Sequence, residues 1–227
     1  MKKTILTSFI LGTILFACQK NAITGRRSLD LMPESEMISM SLTEYSSFLK
    51  SNKTLPATDE RTILVRNVGV KIQHAVEKFY ADKGLSSDLK GFQWEFNVVD
   101  QVAVNAWCMP GGKVVVYTGL LPVTKDEPSL AIVMGHEIAH AIARHGNERM
   151  SQGMVTQLGG LALSAALSQK PALTKSIFNQ AYGVTTELGM LKYSRSHESE
   201  ADKMGLVFAA MAGYNPEVAI AFWERMA

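Results

Sequence analysis

The chain has 227 residues, 47% of them hydrophobic and 19% charged, which suits one domain with a real core and excludes a disordered chain. The net charge is +2, and Lys2 and Lys3 supply all of it, so the body is neutral and a nucleic-acid binder that relies on a basic field is excluded. Two cysteines, Cys18 and Cys108, allow at most one disulfide and exclude both a disulfide framework and a Cys-rich zinc finger.

Residues 1–17 have the form of an export signal. Met1–Lys3 is a short basic start, and the apolar run from Thr4 to Phe16 is too short for a stop-transfer helix. Leu15-Phe16-Ala17-Cys18 resembles a bacterial lipoprotein signal, with a small residue before the cut and Cys18 as the first mature residue. Acylated Cys18 would anchor the chain, since each buried CH₂ contributes ~0.8 kcal/mol. An incidental cysteine behind an ordinary signal is the alternative. Residues 18–32 read as a polar tether, and residues 33–227 as the folded domain.

The elements follow in order. Pro33-Glu34-Ser35-Glu36 starts a helix with an acidic first turn. From Asp59, apolar residues at Val65, Val68, Ile72, Val76 and Phe79 predict a helix with one buried face, ending near Gly84. Then the period changes to two. Phe92, Trp94, Phe96 and Val98 alternate with polar residues as in a half-buried strand. Val102–Trp107 and Val114–Tyr117 read as further strands around a Pro110-Gly111-Gly112 turn. A helix is predicted from Asp126 to about His145, a loose one over 173–191, another over 194–211 with Gly213 as its stop, and a last one from Asn215-Pro216. The ten apolar residues from Leu158 to Leu167 are about half of what a membrane span needs. They suit a buried helix over the site, or a lid or membrane-facing segment. Helices, a small sheet and helices again predict an α+β fold.

One stretch carries chemistry. His136 and His140 in Gly135-His136-Glu137-Ile138-Ala139-His140 are spaced i and i+4, on one face of a helix, so both imidazoles can reach one ion. Glu137, beside the first, is placed to take a proton from the attacking water. Catalytic zinc needs a third protein ligand. Cys108 is one candidate. Glu198 is a better one, because Glu198 and Asp202 are again i and i+4 and can both face the first helix. Asp202 would then hold the outer nitrogen of a ligating histidine. Spacing favours Glu198 over Glu200 only modestly. His145 reads as a cation at a helix end, His197 as a non-ligand pointing aside, and His74 as a surface residue. Tyr193, Arg195 and Tyr214 are candidates for stabilising an oxyanion.

His136-Glu137-x-x-His140, with Glu198-x-x-Ala201-Asp202 inside a Ser194-Arg195-x-x-Glu198 context, resembles metallopeptidase family forty-eight, which takes in the HtpX, CAAX-prenyl-endopeptidase and BepA types. Thr24-Gly25-Arg26-Arg27, Asn105-Ala106, Pro110-Gly111-Gly112-Lys113 and Thr118-Gly119-Leu120-Leu121 resemble its soluble and periplasmic lipoprotein branch. The resemblance runs from about Ala22 to the end. It implies a minimal gluzincin, with two helices holding one Zn²⁺ and a small mixed sheet whose edge, near Asn105 and Ala106, receives extended polypeptide. It implies His136, His140 and Glu198 as ligands, Glu137 as general base and Asp202 behind the ligands. Members of that branch usually continue past the last helix through a Ser/Thr-His-Pro segment, whereas this chain ends at Ala227 within a predicted helix.

The expected function is a zinc metalloendopeptidase at a bacterial envelope membrane, lipid-anchored, facing the periplasm and attached to the outer membrane. Its substrates would be misfolded or misassembled envelope proteins, with no nucleic acid as partner. The alternatives are a non-proteolytic assembly factor with structural zinc, and a processing enzyme for one dedicated partner.

Overall fold

The computed structural model describes residues 18–158, 171–182 and 193–226. The expected signal over 1–17 and most of the apolar 158–167 run lie outside these residues.

The described chain begins with strands β1 (Cys18–Lys20) and β2 (Arg27–Leu29), an antiparallel pair closed through Gly25 at φ 72°. Helices α1 (Glu34–Ser51) and α2 (Glu60–Asp82) follow. Asp59 caps α2 by accepting from the backbone N–H of Arg61, and Gly84, at φ 69°, turns the chain just beyond it. Val65, Val68, Ile72 and Val76 are all buried, as the spacing predicts.

The sheet holds β3 (Glu95–Val99), β4 (Ala106–Met109) and β5 (Lys113–Tyr117) in the order β3-β5-β4. Strand β5 pairs parallel with β3 and antiparallel with β4, so the sheet is mixed. The strands are shorter than the alternation suggests. Phe92 and Trp94 stand before β3, and residues 101–105 form a loop, because Gln101 O accepts from Gly119 N and from Thr118 Oγ1. All of β5 is buried. Val114 and Val116 face the main core with α2, while Val115 and Tyr117 pack with Tyr45 and Phe48 of α1. Burial on both faces explains the unbroken Val114-Val115-Val116 run.

A one-turn helix α3 (Leu121–Thr124) leads into α4 (Glu127–Ile142), capped by Asp126 accepting from Ser129 N. The helix stops earlier than its apolar pattern suggests. Arg144 takes φ 58°, a left-handed turn, and His145 opens the next helix, α5 (His145–Leu158). Then come α6 (Pro171–Tyr182), α7 (Arg195–Met211) and α8 (Val218–Met226). Ser194 caps α7 through His197 N, and Gly213, at φ 89°, turns the chain after it.

Helices α4 and α7 touch backbone to backbone. A Cβ on Gly135 would lie 2.8 Å from Gly205 O, and one on Gly205 would lie 2.7 Å from His136 N. Only glycine at both places lets the helices come this close, and that approach brings the acidic side of α7 onto His136.

The fold is α+β with a small mixed sheet, as expected, and among the described residues no helix is long and apolar enough to cross a membrane. The stretch expected as a tether carries the β1–β2 hairpin. The β1–β2 hairpin is bound to the body. Asn21 Nδ2 donates to Met204 Sδ (3.1 Å), Leu31 N donates to Ser151 Oγ (2.9 Å), and Thr24 and Arg26 both donate to Glu200. Polar composition alone suggested a solvated segment, but these polar groups have buried partners instead.

Candidate metal centre

His136 and His140 point from one face of α4 into a cleft, while Ile138 and Ala139 on the other side are fully buried in the core. Glu198 comes from the first turn of α7. His136 Nε2 and His140 Nε2 are 3.1 Å apart, and Glu198 Oε2 lies 3.5 Å from the first and 3.9 Å from the second. Three donors on a tetrahedral zinc, with bonds of about 2.0–2.2 Å, are separated by about 3.3–3.6 Å. The observed triangle fits that ion, and two imidazoles with one carboxylate are a catalytic-zinc donor set.

The electrostatics agree. Burial opposes charge on His136, but its hydrogen bonds to Asp202 and Glu198 outweigh it and raise its pKa to about 10. Burial and the neighbouring His136 keep His140 neutral. The carboxylates therefore favour positive charge at this spot, which a divalent cation supplies.

Asp202 Oδ1 accepts from His136 Nδ1 at 2.9 Å, one turn beyond Glu198 on the same face of α7. This leaves Nε2 of His136 directed at the donor triangle. Glu137 lines the same cleft, and enclosure there pushes its carboxyl up to about 7, with Glu198 adding to the effect and His136 opposing it. A carboxylate with a pKa near 7 is suited to exchange a proton at neutral pH.

The cleft has a volume of about 680 Å³. One wall is the edge strand β4 with Asn105 and Ala106, and another is Phe222 and Trp223 of α8, the latter 5.6 Å from His136. Among the described residues β4 pairs only with β5, so it is an edge strand of this sheet, and its residues line the cleft. Cys108 also lines it but lies outside the donor group. Its buried thiol is raised well above the usual range and contacts Met109 O, so it is not the third ligand.

Among the oxyanion candidates, Tyr193 and Arg195 line the cleft, with the Tyr193 ring stacked 4.1 Å from His140. Tyr214 is at the far end of α4, where its hydroxyl donates to Glu127 at 2.6 Å. His74 is exposed, as expected.

Two residues behave differently from their sequence reading. His145 is no solvated helix-end cation. It is fully buried, and burial lowers its pKa. Glu200 points away from the metal group, yet it is buried and bonded to His145. Neither role shows in helical spacing, because the partners lie on different elements.

Sequence comparison bears on the same residues. The profile of "Peptidase family M48" matches residues 70–227, which include every donor above. The chain is 37% identical over 157 residues to the mitochondrial metalloendopeptidase OMA1 of Arabidopsis thaliana, covering 68% of this chain and 30% of that protein. It is 33% identical over 180 residues to the OMA1 metalloendopeptidase of Saccharomyces cerevisiae, covering 76% and 48%. It is 29% identical over 142 residues to the beta-barrel assembly-enhancing protease of Escherichia coli, covering 59% and 28%. The chain thus spans less than half the length of these curated relatives. The extent of these matches, together with a one-zinc His-His-Glu site on two packed helices, makes this chain a member of peptidase family M48.

Proposed function

We propose that the chain is a zinc-dependent metalloendopeptidase that cleaves polypeptide in extended form, its targets being misfolded or misassembled proteins of a bacterial envelope. The observation that carries this is the His136–His140–Glu198 triangle opening, with Glu137, onto a cleft walled by β4, an edge strand among the described residues. A purely structural zinc site needs neither a base nor an open side, which counts against a non-proteolytic assembly factor.

Zinc, when bound, supplies a Lewis acid that polarises the scissile carbonyl and makes water a better nucleophile at neutral pH. The residues do the rest. An extended substrate adds as a strand to the edge of β4 at Asn105 and Ala106, with main-chain hydrogen bonds fixing its register. That pairing is sequence-tolerant, which suits unfolded targets. Glu137 takes a proton from the attacking water and delivers it to the leaving amine nitrogen. Asp202 holds His136 in the tautomer that leaves Nε2 free for the metal. Tyr193 and Arg195 are the remaining candidates to stabilise the oxyanion.

The test is cleavage of unfolded envelope proteins, or of casein, by the zinc-loaded chain. Cleavage should stop on chelation and return with zinc. A wild-type protein that holds zinc and cuts none of these would favour the assembly-factor reading.

We further propose that Cys18 is acylated and anchors the enzyme to the membrane, facing the periplasm, with residues 1–17 as the removed signal. The name of the Escherichia coli relative, a beta-barrel assembly-enhancing protease, supports an outer-membrane setting. Mass spectrometry of the mature N-terminus should show an acylated Cys18. A free, unmodified terminus would sink the anchor.

A further inference from the structure

His140 has an outer partner that the proposed chemistry does not use. Its Nδ1 lies 2.9 Å from Nδ1 of His145, and Nε2 of His145 lies 3.0 Å from Oε2 of Glu200. Nε2 of His140 faces the donor triangle, so its proton sits on Nδ1 and is donated to the bare Nδ1 of His145. His145 then carries its own proton on Nε2 and donates it to Glu200. One set of neutral tautomers satisfies both outer bonds and leaves His140 Nε2 free for the metal.

Glu200 is held in turn from outside the catalytic helices. Thr24 Oγ1 donates to one of its oxygens and Arg26 Nε to the other. Arg26 Nη1 also donates to Glu148 Oε2 (2.7 Å), which accepts from His197 Nε2 (3.1 Å). The His197 ring stacks on His145 at 4.4 Å and 18°. His145, Thr24 and Arg26 thus place three donors on the two oxygens of Glu200, which fixes the direction of its carboxyl group. His145 and Glu200 are both buried, and neither faces the cleft.

We infer that His145 and Glu200 form a positioning relay for the zinc ligand His140, clamped from outside by Thr24 and Arg26 of the β1–β2 hairpin, so that docking of the hairpin tightens metal binding. His136 is oriented by Asp202 of its neighbouring helix. His140 is oriented by a chain that ends in the N-terminal segment, next to Cys18. The metal site is therefore tuned by a segment that contributes no ligand. This relay rests on His140 being a zinc ligand.

The alternative is an ion-pair network that only fastens the hairpin. Zinc affinity, measured on the full chain by competition with a chromophoric chelator, and the visible spectrum of the cobalt(II)-substituted protein separate the two. Outer partners of metal-bound histidines contribute about 10–100-fold in affinity. Glu200→Ala should weaken zinc binding by about that factor and alter the cobalt spectrum. Glu200→Gln keeps an oxygen that accepts from His145 Nε2 and should recover most of the affinity. Arg26→Ala changes a part-exposed residue and leaves His145–Glu200 in place, so it should fold and show a smaller loss of affinity.

Melting curves with and without zinc complete the test. A relay shrinks the zinc-induced rise in Tm, whereas simple fastening lowers both curves equally. Wild-type zinc affinity and cobalt spectrum in Arg26→Ala together with Glu200→Ala would overturn the relay. If Glu200→Ala does not fold, unchanged affinity and spectrum in Arg26→Ala alone would overturn it. Failure of the wild-type chain to bind zinc would overturn the metal centre itself, and the relay with it.

Discussion

Glu137→Gln should leave zinc bound and lower peptide hydrolysis by at least about 10²–10⁴-fold, the usual contribution of a general base. The substitution keeps the size and hydrogen-bonding shape of the side chain and removes its ability to take a proton. Metal affinity resides in the other three side chains, whose donor atoms face one another across 3.1–3.9 Å without Glu137. The fold should tolerate the change, because the amide fills the same space as the half-buried carboxyl, whose charged form enclosure disfavours. Substrate should still enter the cleft, so the variant should retain bound targets. The check is cleavage of casein or an unfolded envelope protein, with zinc analysis of the same sample. Normal cleavage with zinc in place would remove Glu137 from the mechanism.

Loss of a ligand should have the opposite signature. His136→Ala, His140→Ala or Glu198→Ala should each lose most of the zinc, and activity with it. The purified wild-type chain should hold about one zinc. At free zinc 1,000-fold above its Kd, binding contributes about 4 kcal/mol to stability. At about 2–4 °C of Tm per kcal/mol for a chain of this size, the wild type should gain on the order of 10 °C on zinc addition. The ligand variants should gain little. Glu198 is the informative case, since it is the more exposed of the three and comes from a different helix. Full zinc retention in Glu198→Ala would move the third ligand elsewhere.

Two features of the architecture connect these results. The cleft is polar at the metal and apolar at Phe222 and Trp223, so a peptide along β4 would meet a hydrogen-bonding edge on one side and apolar surface on the other. Behind the metal group, His136 is bonded to Asp202, and His140 to His145, which is bonded in turn to Glu200. Ligand direction is thereby fixed before metal arrives, which lowers the ordering cost of binding.

Local regularity was legible in the sequence. Val65, Val68, Ile72 and Val76 repeat at the period of a helix and all face the core, because a helix converts spacing into a face without help from other elements. The same rule placed His136 with His140, and Glu198 with Asp202, on single helix faces. Caps at Asp59, Asp126 and Ser194 are likewise local, since each bonds a backbone N–H two or three residues on.

What only the tertiary structure decided concerns partners far apart in the chain. Gly135 and Gly205 give no pattern in sequence, yet their contact sets the distance between the two metal-holding helices. The turn at Arg144 buries His145 where helical continuation would have left it near a solvated end. Thr24 and Arg26 lie in a stretch with the composition of a linker, but they bond a carboxylate from the far end of the chain. Periodicity within one element sets which residues share a face. Which face meets which is settled by packing and by the pairing of buried polar groups across elements, and no local spacing encodes that.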